Sequence, residues 1–411
     1  MILVDFWSEK NRGDAMMQVA MLDLFQGLQH VVVLDSGANE YREFSTHMTE
    51  SLSAHPELLF TPAPKLSHFF RPPGRVHNLL NKLVLVLNLL LVPMWSLLYR
   101  WRLIFLIPRS VKRTFDAISS ADIVLWNGRN FRSNSALLEF LEFFDLSTMT
   151  VSSFILRKQV VALGVSVWPM RSRLGRLYLR WLFHKCKSVY ARESSSYDYI
   201  QQFAPRTKLF RIPDLSFYYL RRFPRKEKRA NVTKTIGIVV KDPVRRNGID
   251  VGQYANAIAR FVTTLSSETD IDIRMISQAG IENEAEEESM SLLMEKFSSE
   301  EMSVTRTTKN PSIEQLVHEY LECDFVISSR MHACIACAYL GVPFLAIPYD
   351  WGAKWSILSD LGDFSYSPME ELGALQDRDY ADLVDQALEF DIGPKIYELG
   401  AQLESLKMEL V

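Results

Sequence analysis

Short apolar or β-branched runs recur along this chain with helix-patterned segments between most of them, and that alternation limits the fold more than any single residue does. A first set comprises MILVDF (1–6), VVVLD (31–35), DIVLW (122–126), KQVVALG (158–164), SVYAR (188–192) and KLFRI (208–212). A second comprises TIGIVV (235–240), IDIRMIS (271–277), MSVTR (302–306), DFVIS (324–328) and FLAIP (344–348). Strands buried on both faces need such near-continuous apolarity, and strands joined through helices pair in parallel. The pattern predicts an α/β chain of two Rossmann-like domains, residues 1–217 and 235–411, joined by the basic stretch YYLRRFPRKEKRANVTK (218–234). A ligand in such an architecture belongs at the carboxyl ends of the strands, here in the interdomain cleft. The last helix is a candidate for packing back on the first domain.

Composition narrows the function. With 411 residues, 48% of them hydrophobic and 23% charged, the chain has the make-up of two folded domains. A formal charge of −3 provides no net basic field, so nucleic acid is not the expected partner. Cys186, Cys323, Cys334 and Cys337, together with the lack of a signal-peptide pattern at the start, lead us to expect a reducing cytoplasm. Cys334 and Cys337 form a CxxC without a second pair, and small core residues are the better reading.

One segment interrupts the alternation. Residues 78–107, NLLNKLVLVLNLLLVPMWSLLYRWRLIFLI, carry only Lys82, Arg100 and Arg102 as charges. A spanning helix needs about 20 apolar residues. Asn88 and Pro93 count against a span, and a single crossing would put strands of one sheet on opposite sides of a bilayer. A helical hairpin or an interfacial helix fits better, with Trp95, Trp101 and the arginines at headgroup level. The alternative is a buried helix pair covering the first domain.

The chemistry concentrates in SSRMHACIACAYLGVPFLAIP (328–348). Ser328 and Ser329 are good N-cap residues and Gly341 before Val342-Pro343 is a stop signal, so the spacing predicts a short helix with Arg330 and His332 at its start. Free amides and the positive helix end favour an anion there. Arg330 adds a cation that can grip a carboxylate or phosphate, and His332 a group that can move a proton.

SEKNRGDAMMQVAML (8–22), WNGRNFRSNS (126–135), ALGVSVWP (162–169), YARESSS (190–196), IPDLSF (212–217) and, most specifically, SSRMHACIACAYLGVPFLAIPYDWGAKWSILSDLG (328–362) together resemble the polysaccharide pyruvyl transferase family. The resemblance implies a glycosyltransferase-B-like pair of Rossmann-like domains, the first on the acceptor side and the second on the donor side, with 78–107 as an apolar helical insertion. It also implies transfer of the enolpyruvyl group of phosphoenolpyruvate onto hydroxyls of a surface-polysaccharide sugar, usually as a ketal, with release of phosphate. Phosphoenolpyruvate is then the donor substrate, and no metal or further cofactor is called for. Where the family commonly has three glycines after the third strand, this chain has Asn127-Gly128-Arg129-Asn130, which bears on the choice of acceptor. A lipid-linked acceptor, handled by a cytoplasmic enzyme peripheral to the inner membrane, is the expectation drawn from 78–107. A nucleotide-sugar glycosyltransferase of the B type is the alternative, and a catalytically silent assembly protein a third reading.

On this reading His332 carries the acid and base steps beside Arg330, and the resemblance places Arg192 as a second cation. A helix N-terminus disfavours a charged imidazole whereas a bound dianion favours it, so substrate binding could load the proton. Asn11 and Asp14 are candidates for the acceptor sugar, although Asp14 as an N-cap and Gly13 as a turn residue would explain the spacing equally. Asn127, Arg129 and Asn130 can meet sugar hydroxyls or simply form a loop. Lys241 and Arg245 can bind phosphate or be solvated. Ser329 and Met331 flank the key pair, and Tyr349, Asp350 and Lys354 follow the next strand, Lys354 matching a family lysine.

Overall fold

The computed structural model describes residues 2–6, 11–26, 30–34, 59–62, 64, 77–127, 130–133, 135–227, 235–241, 251–266, 271–278, 286–299, 302–307, 311–348, 353–369 and 371–410. Contacts divide the chain into one unit of Met1–Ser8 and Met21–Asp214 and another of Glu9–Ala20 and Leu215–Val411.

The first sheet draws on β1 (Ile2–Phe6), β2 (His30–Leu34), β3 (Leu59–Pro62), β4 (Ile123–Asn127), β5 (Asn130–Phe131), β6 (Gln159–Val167), β7 (Ser188–Ala191) and β8 (Leu209–Arg211). Its order is β3-β2-β1-β4-β6-β7-β8, all parallel, with β5 pairing the far end of β6. Among the helices, α1 (Arg12–Leu24) follows β1, and α2 (His77–Arg100) and α3 (Arg109–Ser120) precede β4. α4 (Glu139–Leu146) and α5 (Thr148–Ile155) lead into β6, while α6 (Arg173–Lys185) and α7 (Ser194–Phe203) flank β7. Every residue of β4 and all but the first of β6 are buried, so the apolar runs are central strands covered on both faces. Trp126, Phe131, Phe143 and Phe183 pack edge to face in the core.

The second unit repeats the plan. α8 (Ser216–Leu220), β9 (Thr235–Val239), α9 (Val251–Ser266), β10 (Asp272–Met275), α10 (Glu286–Ser299), β11 (Ser303–Arg306), α11 (Ile313–Glu322), β12 (Phe325–Ser328), α12 (Met331–Leu340) and β13 (Phe344–Ala346) give a parallel sheet of order β11-β10-β9-β12-β13. α13 (Ser356–Leu361), α14 (Asp377–Glu389) and α15 (Gly393–Leu410) complete it. All ten residues of α12 are buried, including Cys334 and Cys337, whose thiols burial holds above the usual range. Gly341 ends the helix in the left-handed region at φ 74°, where a side chain would crowd the Lys226 carbonyl.

Each quoted run became a strand. β3 and β5 had no reading in the sequence; β3 ends in Pro62, which a sheet tolerates because β3 lies at the edge. Residues 218–220 of the expected linker lie in α8 and are buried, and α15 packs on α8, with an ion pair from Arg221 to Glu404 at 2.6 Å.

The apolar segment differs from the hairpin and from the buried pair. It is one continuous helix, α2, carrying Pro93 inside it, followed by a 3₁₀ turn at Ile104–Leu106. Among the described residues Lys82–Arg100 is the one stretch long and apolar enough to cross a membrane, and 22% of it is buried. Its inner side is fastened to α4 and α5 by polar bonds: Asn88 donates to Asp145 at 2.8 Å, and the Ser96 hydroxyl lies 3.1 Å from that of Ser152. Asn88, which counted against a span, thus helps to dock the helix.

Candidate active site

The strand order of the second sheet reverses between β9 and β12, the position where α/β sheets open a crevice for ligands. The segments leaving these two strands are laced together there. The Lys241 amide donates to the Ser329 hydroxyl at 2.8 Å, the Ser329 amide to the Val239 carbonyl at 3.0 Å, and Arg330 Nε to the Val240 carbonyl at 3.3 Å. Arg330, in place of the two serines, is the N-cap of α12, with extended backbone at φ −113° and ψ 118°. Ser328 instead accepts from the Arg330 amide at 2.9 Å, which fixes the turn out of β12. A guanidinium and the positive end of a helix thereby coincide.

α1 begins at Arg12, three residues before the start expected from sequence. Asn11 caps it, accepting from the Gly13 amide at 3.1 Å, so Asp14 lies inside the first turn instead of capping it. That first turn belongs to the second unit and meets the first turn of α12. A β-carbon on Gly13 would fall 2.3 Å from Cβ and Cγ of His332, so only glycine admits the imidazole. Asp14 Oδ1 lies 3.9 Å from His332 Nδ1, an ion pair when the ring is protonated. His332 is 8% exposed and Asp14 6%. Arg12, which the sequence reading passed over, is buried with Nε donating to the Pro311 carbonyl at 2.7 Å and its amide to the Gln278 carbonyl at 3.3 Å. Its place between Asn11 and Gly13 was the available signal. Two helix N-termini, Asp14, His332 and Arg330 thus converge in the second unit, with Met331, Ser329 and Lys241 around them. Lys354 lies on a separate 3₁₀ turn, Ala353–Trp355.

In the first unit the reversal lies between β1 and β4, and Asn127 ends β4 there. Its side chain is fully buried, and among the described residues neither Oδ1 nor Nδ2 has a hydrogen-bond partner. Asn130 begins β5 opposite Ser166. Arg192 leaves the end of β7 into a buried network: Nε donates to Ser166 at 2.6 Å and to Glu193 at 3.2 Å, and a terminal nitrogen to Asp214 at 3.2 Å. Glu193 also accepts from Ser166 and Ser196. Burial pushes the Glu193 carboxyl up to about 7, while Arg192, Ser196 and Ser166 oppose the shift. Arg192 is therefore held between two carboxylic groups. Arg129, Arg245, Tyr349 and Asp350 lie outside the described residues.

The family model for polysaccharide pyruvyl transferases matches residues 11–350, which contain the first turns of α1 and α12 and the buried network around Arg192. The chain belongs to the polysaccharide pyruvyl transferase family. Membership makes it a transferase of polysaccharide biosynthesis. No curated protein matches the chain. Among solved structures, UDP-GlcNAc 2-epimerase from Neisseria meningitidis bound to UDP-GlcNAc aligns over 100% of this chain and 99% of its own at TM-score 0.58 and 11% identity. Alr3699/HepE from Anabaena, in complex with UDP and glucose, aligns over 100% and 99% at TM-score 0.53 and 12% identity. MnaA from S. aureus with UDP aligns over 100% and 97% at TM-score 0.54 and 9% identity. At such identities the likeness is one of fold, and the fold is glycosyltransferase-B-like, with two Rossmann-like units.

Proposed function

We propose that the protein transfers the enolpyruvyl group of phosphoenolpyruvate to hydroxyls of a surface-polysaccharide sugar, carried on a lipid, and forms a pyruvate ketal. The observation that carries this reading is the meeting of the first turns of α1 and α12, with His332 between Asp14 and the Arg330 cap. Phosphoenolpyruvate brings a carboxylate and a phosphate; Arg330 and the helix amides hold one of these anions. Asp14, 3.9 Å from Nδ1, favours a proton on the ring, and Nε2 is the nitrogen assigned to the substrate.

Protonation of the methylene carbon by His332 leaves an oxocarbenium-like C2. The first acceptor hydroxyl adds to C2, phosphate leaves with the electrons of its C–O bond, and a second hydroxyl closes the ketal. One hydroxyl proton ends on the methyl group and the other on phosphate. Asn127 supplies an amide for sugar hydroxyls on the acceptor side, with Asn130 near it in sequence. Lys241, Ser329 and Met331 shape the donor pocket, and Lys354 adds a further cation. Arg192, matched by Glu193 and Asp214, holds the strand ends in place, and Asn11 acts through its cap. The reaction runs in the cytoplasm at the inner membrane surface.

The relatives solved with UDP favour a second reading, a nucleotide-sugar glycosyltransferase. Phosphate release from phosphoenolpyruvate in the presence of lipid-linked saccharides, with no sugar nucleotide consumed, supports pyruvyl transfer; UDP release without phosphate would replace it. His332→Gln should lower kcat by about 10²–10⁴ with phosphoenolpyruvate binding kept. Equal loss of binding and turnover would make the ring a ligand-holding group.

A further inference from the structure

The two non-glycine residues with positive φ among those described are both arginines, and both line one pocket. Arg102, at φ 64°, follows α2, and Arg157, at φ 61°, follows α5. Each is the residue just past a helix end in the same bonding pattern. The Leu103 amide bonds the Leu98 carbonyl and the Arg102 amide that of Tyr99; the Lys158 amide bonds the Ser153 carbonyl and the Arg157 amide that of Phe154. Glycine is the usual residue at this left-handed position, because a β-carbon is strained there. A cation could complement the helix dipole from the last turn instead, and in α2 Arg100 already does so. Helix capping alone therefore gives no reason for arginine at Arg102.

The pocket, of about 460 Å³, is lined by Arg100, Arg102, Lys112 and Arg157 with Asp116 as its carboxylate and Ile104 at its edge. Asp116 is engaged by Lys112 at 3.1 Å and by the Tyr99 hydroxyl at 2.7 Å. Beside the pocket runs an apolar ridge. Leu83, Val86, Leu90 and Met94 share one outer face of α2 and lead to Trp101 and the turn Ile104–Leu106, with Leu90 63%, Trp101 65% and Phe105 78% exposed. The helix is thus apolar on both faces: Asn88 and Ser96 face the protein beside the buried Val92 and Trp95, while Leu83, Val86, Leu90 and Met94 face outward with no polar face between them and solvent.

We propose that this face of the first unit docks on an anionic membrane, with α2 lying in the headgroup plane, Trp101 and Phe105 inserted, and a lipid phosphate held by Arg102 and Arg157. Four cations around one carboxylate complement a phosphate, and the tryptophan and arginines at the end of an apolar helix fit the headgroup boundary. The site is independent of the reaction proposed above and is tested without it.

The experiment is sedimentation of the full chain with phosphatidylcholine vesicles, with and without phosphatidylglycerol. Wild type should bind the anionic vesicles preferentially. The double variant Arg102→Gly/Arg157→Gly relieves strain, so its Tm should hold or rise, while its partition falls about 30-fold, as roughly 1 kcal/mol per lost cation implies. Phe105→Ser should weaken binding to both kinds of vesicle. Undiminished binding by the glycine variant overturns the phosphate role. Absence of wild-type binding, with self-association abolished by Phe105→Ser, would assign the face to a second copy of the chain. Stabilisation by inorganic phosphate without vesicle binding would make it a soluble-anion site; either result overturns the proposal.

Discussion

β7–α7 in the first unit and β12–α12 in the second are the same construction with opposite charges at the joint. Each strand ends two residues before an extended N-cap that opens a helix, Glu193 at φ −131° and ψ 152° in one, Arg330 at φ −113° and ψ 118° in the other. A carboxylate at that position answers the positive helix end, whereas a guanidinium adds to it, a difference of about 0.3–1 kcal/mol for each. The neighbours follow suit: Glu193 and Asp214 enclose Arg192, while Arg330 Nε rests on the neutral Val240 carbonyl. One joint is built for cohesion. The other sets a cation at the positive end of a helix, an arrangement that suits the multiply charged donor proposed above.

The sharpest way to break this contrast is to remove the cation. Arg330→Gln should lower kcat/KM for phosphoenolpyruvate by about 10³, near 4 kcal/mol, the scale of two charge-assisted hydrogen bonds. Stability should fall by less than about 1 kcal/mol, since the cap then no longer opposes the dipole. Large unfolding with little change in substrate affinity per folded molecule would make Arg330 a strut like Arg192.

The opposite joint is probed by pH. A carboxyl whose pKa is higher folded than unfolded contributes fully to stability below its unfolded value near 4.5, and loses that contribution as pH rises through about 7. Glu193→Gln removes the titration. Its stability relative to wild type should therefore climb between pH 4.5 and pH 8 by up to about 3 kcal/mol, measured by denaturant unfolding at several pH values. A flat difference would mean that Glu193 stays ionised beside Arg192.

The alternation of runs made the fold legible, because a central parallel strand must be apolar on both faces and its helices must come between. Helix starts were read less well. Asp14 and Ser328-Ser329 look like caps by residue type, yet Asn11 and Arg330 hold those positions, since the cap is fixed by where the backbone leaves its preceding segment. That shift is what delivers Asp14 to His332. Arg330 and His332 stood out as a pair at a helix start, but contact between residues so distant along the chain has no periodicity to betray it, and a cleft role for Asn11 and Asp14 came only from the resemblance. Of the two favoured readings of 78–107, a hairpin or an interfacial helix, the hairpin failed because the chain stays helical through Pro93 and leaves the helix only at the left-handed Arg102.

Asp14 tests whether the second joint is a proton-transfer site or only an anion trap. Asp14→Asn keeps the size of the side chain but removes the charge facing Nδ1. A fall in kcat of about tenfold to thirtyfold, roughly 1.4–2 kcal/mol, with KM for phosphoenolpyruvate nearly constant and the acid limb of the pH profile displaced, is expected if Asp14 orients the imidazole. A change confined to KM would place Asp14 on the substrate instead.

The smallest effect belongs to Asn127, and it bears on why β4 ends in a buried amide. A buried amide with no hydrogen-bond partner among the described residues destabilises the folded state by about 1–3 kcal/mol. Such a group persists where a ligand completes its bonds, and sugar hydroxyls both donate and accept as an amide needs. Asn127→Val, at the end of a strand that favours β-branched residues, should raise Tm and increase KM for the saccharide about fivefold to tenfold, with phosphoenolpyruvate binding unchanged. A variant that loses stability while keeping acceptor affinity would show that the amide is satisfied within the protein and serves folding alone.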